Sequence, residues 1–102
     1  MLTALGAPPD AQRIARALVD ERLAACVNIV PGVVSIYRWQ GNVEQEPELI
    51  LVIKTLAERV AALKARLLEL HPYELAEVVV IPIVGGHKAY LEWIEEQVIP
   101  LP

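Results

Sequence analysis

Few residues of this 102-residue chain are of types that ligate metals or drive reactions, and they are sparsely spaced. Cys26 is the single soft ligand, and a thiolate there suits Cu(I). A lone cysteine between a helix and a strand also reads as a small buried hydrophobe. His71 stands before Pro72 at a predicted helix end, where its imidazole could hold a metal, lie near a cleft between subunits, or complement the helix dipole. Of the two, His71 is the first candidate ligand and Cys26 the second. His87, after Gly85-Gly86, reads as a surface residue. No Cys-x-x-Cys, His-x-x-x-His or Glu-x-x-His pattern occurs, so a closed zinc site within one chain is not expected. Any metal would use few protein ligands, or ligands from several chains.

Three further groupings carry charge or aromatic surface. Glu44, Glu46 and Glu48 alternate along one strand face, which attracts divalent cations weakly or keeps an exposed strand from pairing wrongly. Lys54-Thr55 falls at a strand-to-helix junction, where an ammonium and a hydroxyl beside helix amides form an anion cradle. Capping-box spacing from Thr55 to Glu58 explains the hydroxyl without a ligand. Tyr37 and Trp39 share one face of a long hairpin and read as anchors of an interface between subunits. Nucleophilic catalysis needs a Ser, Thr or Cys beside a base and an orienting group. Ser35 lies among strand hydrophobes, no Gly-x-Ser-x-Gly elbow exists, and an enzyme is not expected.

The elements that must position these groups follow from periodicity. Leu2 to Leu5 is a short strand, closed by Gly6-Ala7-Pro8-Pro9, which also sets up Asp10 as a helix N-cap. From Ala11 to Ala24 the residues Ile14, Ala15, Leu18, Val19 and Leu23 recur at helical spacing and predict one buried face. Two strand arms follow, Val27 to Trp39 and Val43 to Lys54, joined by a turn at Gln40-Gly41-Asn42 and each about 40 Å long. Pro31-Gly32 predicts a bulge in an edge strand. The return arm changes character at Pro47: its outer half projects, while Leu49 to Ile53 reads as buried on both faces. A helix carrying Val60, Leu63, Leu67 and Leu70 opens at Thr55 and stops at His71-Pro72. Glu77 to Val84 reads as an edge strand containing Pro82. The last helix, about Lys88 to Gln97, is expected to bury Ala89, Tyr90, Trp93 and Ile94, and the tail to Pro102 cannot stay helical.

The order β-α-β-β-α-β-α predicts an α+β fold: a ferredoxin-like, split βαβ antiparallel sheet with helices on one face and an extra C-terminal helix. The chain is long enough for one domain, residues 1–102, and no more. Arms of this length expose backbone groups that nothing else in the chain can pair, so other copies of the chain are the expected partners. A net charge of -4 without clustered Lys or Arg argues against a nucleic-acid partner. The longest apolar run is far below the roughly 20 residues that span a bilayer, and no signal peptide is visible, so no membrane partner is expected. One cysteine allows no internal disulfide, which fits a reducing compartment and predicts the cytoplasm.

The segments Glu21-Arg22-Leu23-Ala24-Ala25-Cys26-Val27-Asn28-Ile29-Val30-Pro31-Gly32, Ser35-Ile36-Tyr37-Arg38-Trp39-Gln40-Gly41, Lys54-Thr55, His71-Pro72-Tyr73, Glu77 and Tyr90-Leu91-Glu92-Trp93 together resemble the CutA family of divalent-cation tolerance proteins. The resemblance spans nearly the whole chain in order. It implies a ferredoxin-like homotrimer related in architecture to the PII signalling proteins, copper or another divalent cation as ligand, no cofactor needed for folding, and no catalysis. It also implies clefts between subunits lined by Lys54, Tyr73, Glu77 and Tyr37 from the next chain, where a small molecule or anion would bind; a third reading is a scaffold that docks another protein. Two departures weaken the copper site: Thr3 and Leu70 stand where some members place ligands, leaving only His71 of that set. The first strand is shorter than is usual in the family, which predicts a natural start upstream of Met1.

Overall fold

The computed structural model describes residues 1–100. A three-stranded antiparallel sheet in the order β1-β3-β2 is built from β1 (Leu2–Leu5), β2 (Cys26–Trp39) and β3 (Asn42–Lys54). Helices α1 (Pro8–Asp20) and α2 (Val60–Leu70) lie on one face, a single 3-10 turn (Ala57–Arg59) leads into α2, and α3 (Lys88–Gln97) follows.

The core is the helical face of the sheet. Leu5, Leu49, Leu51 and Ile53 point from the strands into Ala11, Ile14 and Leu18 of α1 and Leu63 and Leu67 of α2. Strand side chains alternate between faces, so Ile50 and Val52 point the other way and are only half-buried. The uninterrupted apolar run is therefore fully covered on one face, not on both as its composition predicted. Arg66 of α2 holds Glu21, just past α1, with Nε to Oε1 at 2.9 Å and Nη2 to Oε2 at 3.2 Å, which ties the two helices together at the surface.

Helix boundaries differ from expectation for local reasons. α1 begins at Pro8, not after Asp10, because the first helical positions have no use for their N–H groups and accept proline. It ends at Asp20 in a Schellman closure: Arg22 adopts φ 58°, its N–H bonds the Val19 carbonyl, and the Leu23 N–H bonds that of Leu18. Thr55 does not cap α2. Its Oγ1 donates instead to the Leu23 carbonyl at 2.7 Å, binding the end of β3 to the α1 exit, and α2 starts five residues later. Pro72 forces His71 into extended backbone and stops α2 as expected.

The hairpin is the long feature of the molecule. Cys26 pairs with Lys54 at its base and Trp39 with Asn42 at its tip, where Gln40 (φ 49°) and Gly41 (φ 84°) make a two-residue turn. The expected bulge is present: the register shifts between Val30 and Val33, with Gly32 at φ 74°. β1 covers β3 only from Leu49 to Val52, so beyond that point both arms have a free edge. The radius of gyration, 14.5 Å, exceeds the about 13 Å of a compact domain of this length.

The strand expected over Glu77–Val84 is reduced to one bridge, Leu2 with Val79, closed by N–H···O bonds of 2.7 and 3.1 Å. The next pairing in that direction would join Ala4 and Glu77; among the described residues it is not made, and the Ala4 carbonyl instead accepts from His71 Nε2 at 2.9 Å. α3 runs over the expected residues but packs differently. Ile94 and Val98 are buried with Ala25 and lie against Leu56 and Leu91, while Tyr90 and Trp93 stack on each other at the surface with centroids 5.5 Å apart. Leu101-Pro102, the end of the expected non-helical tail, lie outside the described residues.

Candidate functional site

Beyond the bulge the hairpin has two unlike faces. Residues directly opposite each other share a face, so Ser35 and Tyr37 of β2 stand with Glu46 and Glu44 of β3, and Trp39 with Asn42. The other face carries Val34, Ile36 and Val43, each more than half exposed. The aromatic and acidic face runs into a cleft of about 630 Å³, lined by Tyr37, Trp39 and Tyr73, by Glu48 and Glu77, and by Arg38.

Tyr73 anchors this cleft. Its Oη donates to Glu48 Oε2 at 2.7 Å, and its ring meets His71 edge-on with centroids 4.9 Å apart. Burial, then the hydrogen bond to Glu48, then the Glu48 charge push the phenol up to about 12. Tyr37 is also raised, by desolvation first and then by Glu46, Glu48 and Glu44. The field in the cleft is therefore negative. The approach of Tyr73 depends on Gly6, where a Cβ would stand 3.3 Å from the phenolic oxygen.

His71 is buried beneath this arrangement with both ring nitrogens engaged. Nδ1 accepts the Tyr73 N–H at 3.1 Å, which leaves the proton on Nε2 to donate to the Ala4 carbonyl. The ring sets the Tyr73 backbone and closes the edge of β1; ligating a metal would require breaking one of these bonds. Cys26 is half-buried at the base of the hairpin, at the far end of β2 from the Trp39 tip. The structure does not bring it to His71, and among the described residues no group of three or more His, Cys, Asp or Glu is disposed to hold a metal ion.

Of the four residues named for a cleft between subunits, with Tyr37 from the next chain, Tyr37, Tyr73 and Glu77 of one chain already line a common cavity, and Lys54 of that chain lies elsewhere. Its Nζ contacts the Asn28 side chain, and it borders a second, apolar groove of about 790 Å³ lined by Leu2, Leu56, Val60, Ile81, Leu91 and Ile94. Glu48 and Arg38 were not expected in the cleft. The signal for Glu48 was its place at the inner end of the acidic row, next to the buried run; its pairing with Tyr73 spans 25 residues and left no local trace.

Comparison with known proteins agrees with this architecture. The family model described as CutA1 divalent ion tolerance protein matches residues 1–97. The divalent-cation tolerance protein CutA of Thermus thermophilus is 55% identical over 86 residues, 84% of each chain. Protein CutA of Mus musculus is 45% identical over 84% of this chain, which spans about half (49%) of that longer relative. Among solved structures, the PII-like protein CutA from Nostoc sp. PCC 7120 in apo form superposes with a TM-score of 0.90 at 41% identity, covering 98% of this chain and 96% of that one. An α+β chain whose antiparallel sheet, helices and long hairpin match over nearly its whole length belongs to the CutA1 divalent ion tolerance family.

Proposed function

We propose that the protein serves divalent-cation tolerance as a non-enzymatic homotrimer of ferredoxin-like subunits, with its ligand site in the cleft formed by Tyr37, Trp39, Tyr73, Glu48 and Glu77. One observation carries the reading: among the described residues nothing pairs the two outer edges of the hairpin beyond Leu49 or covers its apolar face, Val34, Ile36 and Val43. The run Val80, Ile81, Ile83 and Val84 is likewise half or more exposed and extended past the Leu2–Val79 bridge. Unpaired strand edges and apolar surface in the same chain are satisfied together when copies pair head to tail, and a closed ring leaves no free edge. The Nostoc relative, described as PII-like, supports a ligand-responsive assembly rather than a catalyst. So does the chemistry on hand, since among the described residues the hydroxyl with a carboxylate partner is that of Tyr73, and burial and Glu48 hold it neutral to high pH. A cytoplasmic location fits the free thiol of Cys26.

Light scattering on the full chain tests the assembly. A mass near three times 11.3 kDa is expected at micromolar concentration, falling to one third in Ile36→Glu or Val43→Glu. A single-chain mass for the parent protein would defeat the proposal.

Copper is the second reading, and the geometry reorders its ligands. His71 is committed through both nitrogens, whereas Cys26 has a half-buried thiol, so Cu(I) at Cys26 is favoured over Cu(II) at His71. Calorimetry under reducing conditions should then show saturable Cu(I) binding that Cys26→Ser abolishes and His71→Phe retains. Binding unchanged in Cys26→Ser, or absent from the parent, would end it.

A further inference from the structure

We infer that the cleft beside the outer hairpin recognises a small organic ammonium ion, and not an inorganic anion or a bare divalent cation. This rests on the cleft being the ligand site, and it names the ligand's chemistry. Three aromatic residues, Tyr37, Trp39 and Tyr73, line one cavity together with Glu48, Glu74 and Glu77, while Arg38 borders it from a strand position that shares the opposite face with Val43. Glu44 and Glu46 stand on the same strand face and add to the negative field. Aromatic faces attract cations through the ring quadrupole, most strongly where the cation is weakly hydrated, and carboxylates at the rim supply the balancing charge.

The same residues exclude the alternatives. An anion would need donors, but within one chain the Tyr73 hydroxyl is spent on Glu48 at 2.7 Å and Lys54 borders the other groove. Phenols are neutral at physiological pH in any case, so the rings of Tyr37 and Tyr73 are uncharged surfaces for a cation. A hard divalent ion takes six or more oxygen ligands at short range; the carboxylates here are not gathered for that, and one already accepts a phenol. The cavity, about 630 Å³, is within the range of small-molecule sites and much larger than a bare ion requires. A group carrying alkyl substituents on a charged nitrogen satisfies both the rings and the acids.

The test uses a matched pair of probes: choline, and its neutral carbon isostere 3,3-dimethylbutan-1-ol. The full chain is titrated with each while the indole N–H resonances of its two tryptophans are followed by NMR. Saturable choline binding that moves Trp39 and leaves Trp93 in place is expected, with the isostere weaker by about tenfold or more. Glu77→Gln should weaken choline by a similar factor, Tyr73→Phe should keep the ring contact while freeing Glu48, and Lys54→Met should change nothing. Equal binding of the two probes would show a merely apolar cleft and overturn the inference. So would an absence of saturation, as when a second copy fills the site, a response centred on Trp93, or loss of binding in Lys54→Met. Light scattering on the same samples reports assembly independently, so a single-chain mass with choline binding intact would defeat the trimer and leave this inference standing.

Discussion

The two halves of one hairpin share a continuous ladder yet live in different environments. Below the bulge at Pro31-Gly32, the strands lie under α1 and α2, and Leu51 and Ile53 are sealed from water. Above it, one face is met only by the Tyr73–Glu77 segment at the cleft, and on the other Ile36 is 67% exposed. Backbone pairing alone is thus enough to extend a ribbon, but not to bury it. The inner half stabilises the subunit, and the outer half carries an apolar face on one side and an acidic aromatic face on the other. One sheet segment therefore separates folding from recognition, with the bulge as the boundary.

The largest expected contrast is in stability. Leu51→Ala should cost about 3 kcal/mol in urea unfolding, because it empties fully enclosed space, whereas Ile36→Ala should leave the intrinsic subunit stability within about 0.5 kcal/mol. A comparable loss in Ile36→Ala that grows on dilution would locate its contacts in a neighbouring copy. His71 stands where the halves meet, and His71→Ala should cost about 2 kcal/mol, having removed hydrogen bonds to Ala4 and Tyr73 from a buried position. A near-neutral result would show that the cleft does not depend on that ring. A smaller gain is expected from Thr3→Val: Oγ1 of Thr3 is fully buried in the inner half without a hydrogen-bond partner, and replacing it by a methyl should stabilise by about 1 kcal/mol. Loss of stability there would mean that the hydroxyl is satisfied.

The weakest effect is a pH dependence at the base of the outer half. Tyr73 titrates near 12 in the folded chain and near 10 when unfolded, so the folded state holds the extra proton between those values. Its contribution is complete below pH 10 and is lost as pH rises towards 12. Phenolate absorbance should show one late tyrosine that Glu48→Gln moves earlier, by removing a charge and weakening an acceptor. An unchanged titration in that variant would contradict the Tyr73–Glu48 pairing.

Local pattern carried much of this architecture. Helical spacing of Ile14 and Leu18, and of Leu63 and Leu67, identified the faces that now pack on the sheet, and Pro31-Gly32 located the bulge. Leu2 to Leu5, the hairpin turn and the stop at His71-Pro72 were equally legible, since each depends on residues next to one another. The site was less so. Tyr37, Tyr73 and Glu77 of one chain line the same cleft, while Lys54, on the Glu48 face of β3 but six residues further along it, borders the other groove, because the two ends of a strand meet different neighbours.

Residue order and alternation were sufficient for the elements and for which strand positions turn toward the helices, because those are short-range consequences of backbone sterics and side-chain polarity. Folding in three dimensions assigned the long-range hydrogen bonds: Thr55 went to Leu23 instead of its own helix, and His71 to the Ala4 carbonyl. Such partners lie far apart in sequence, and only the assembled chain brings them within reach of one another.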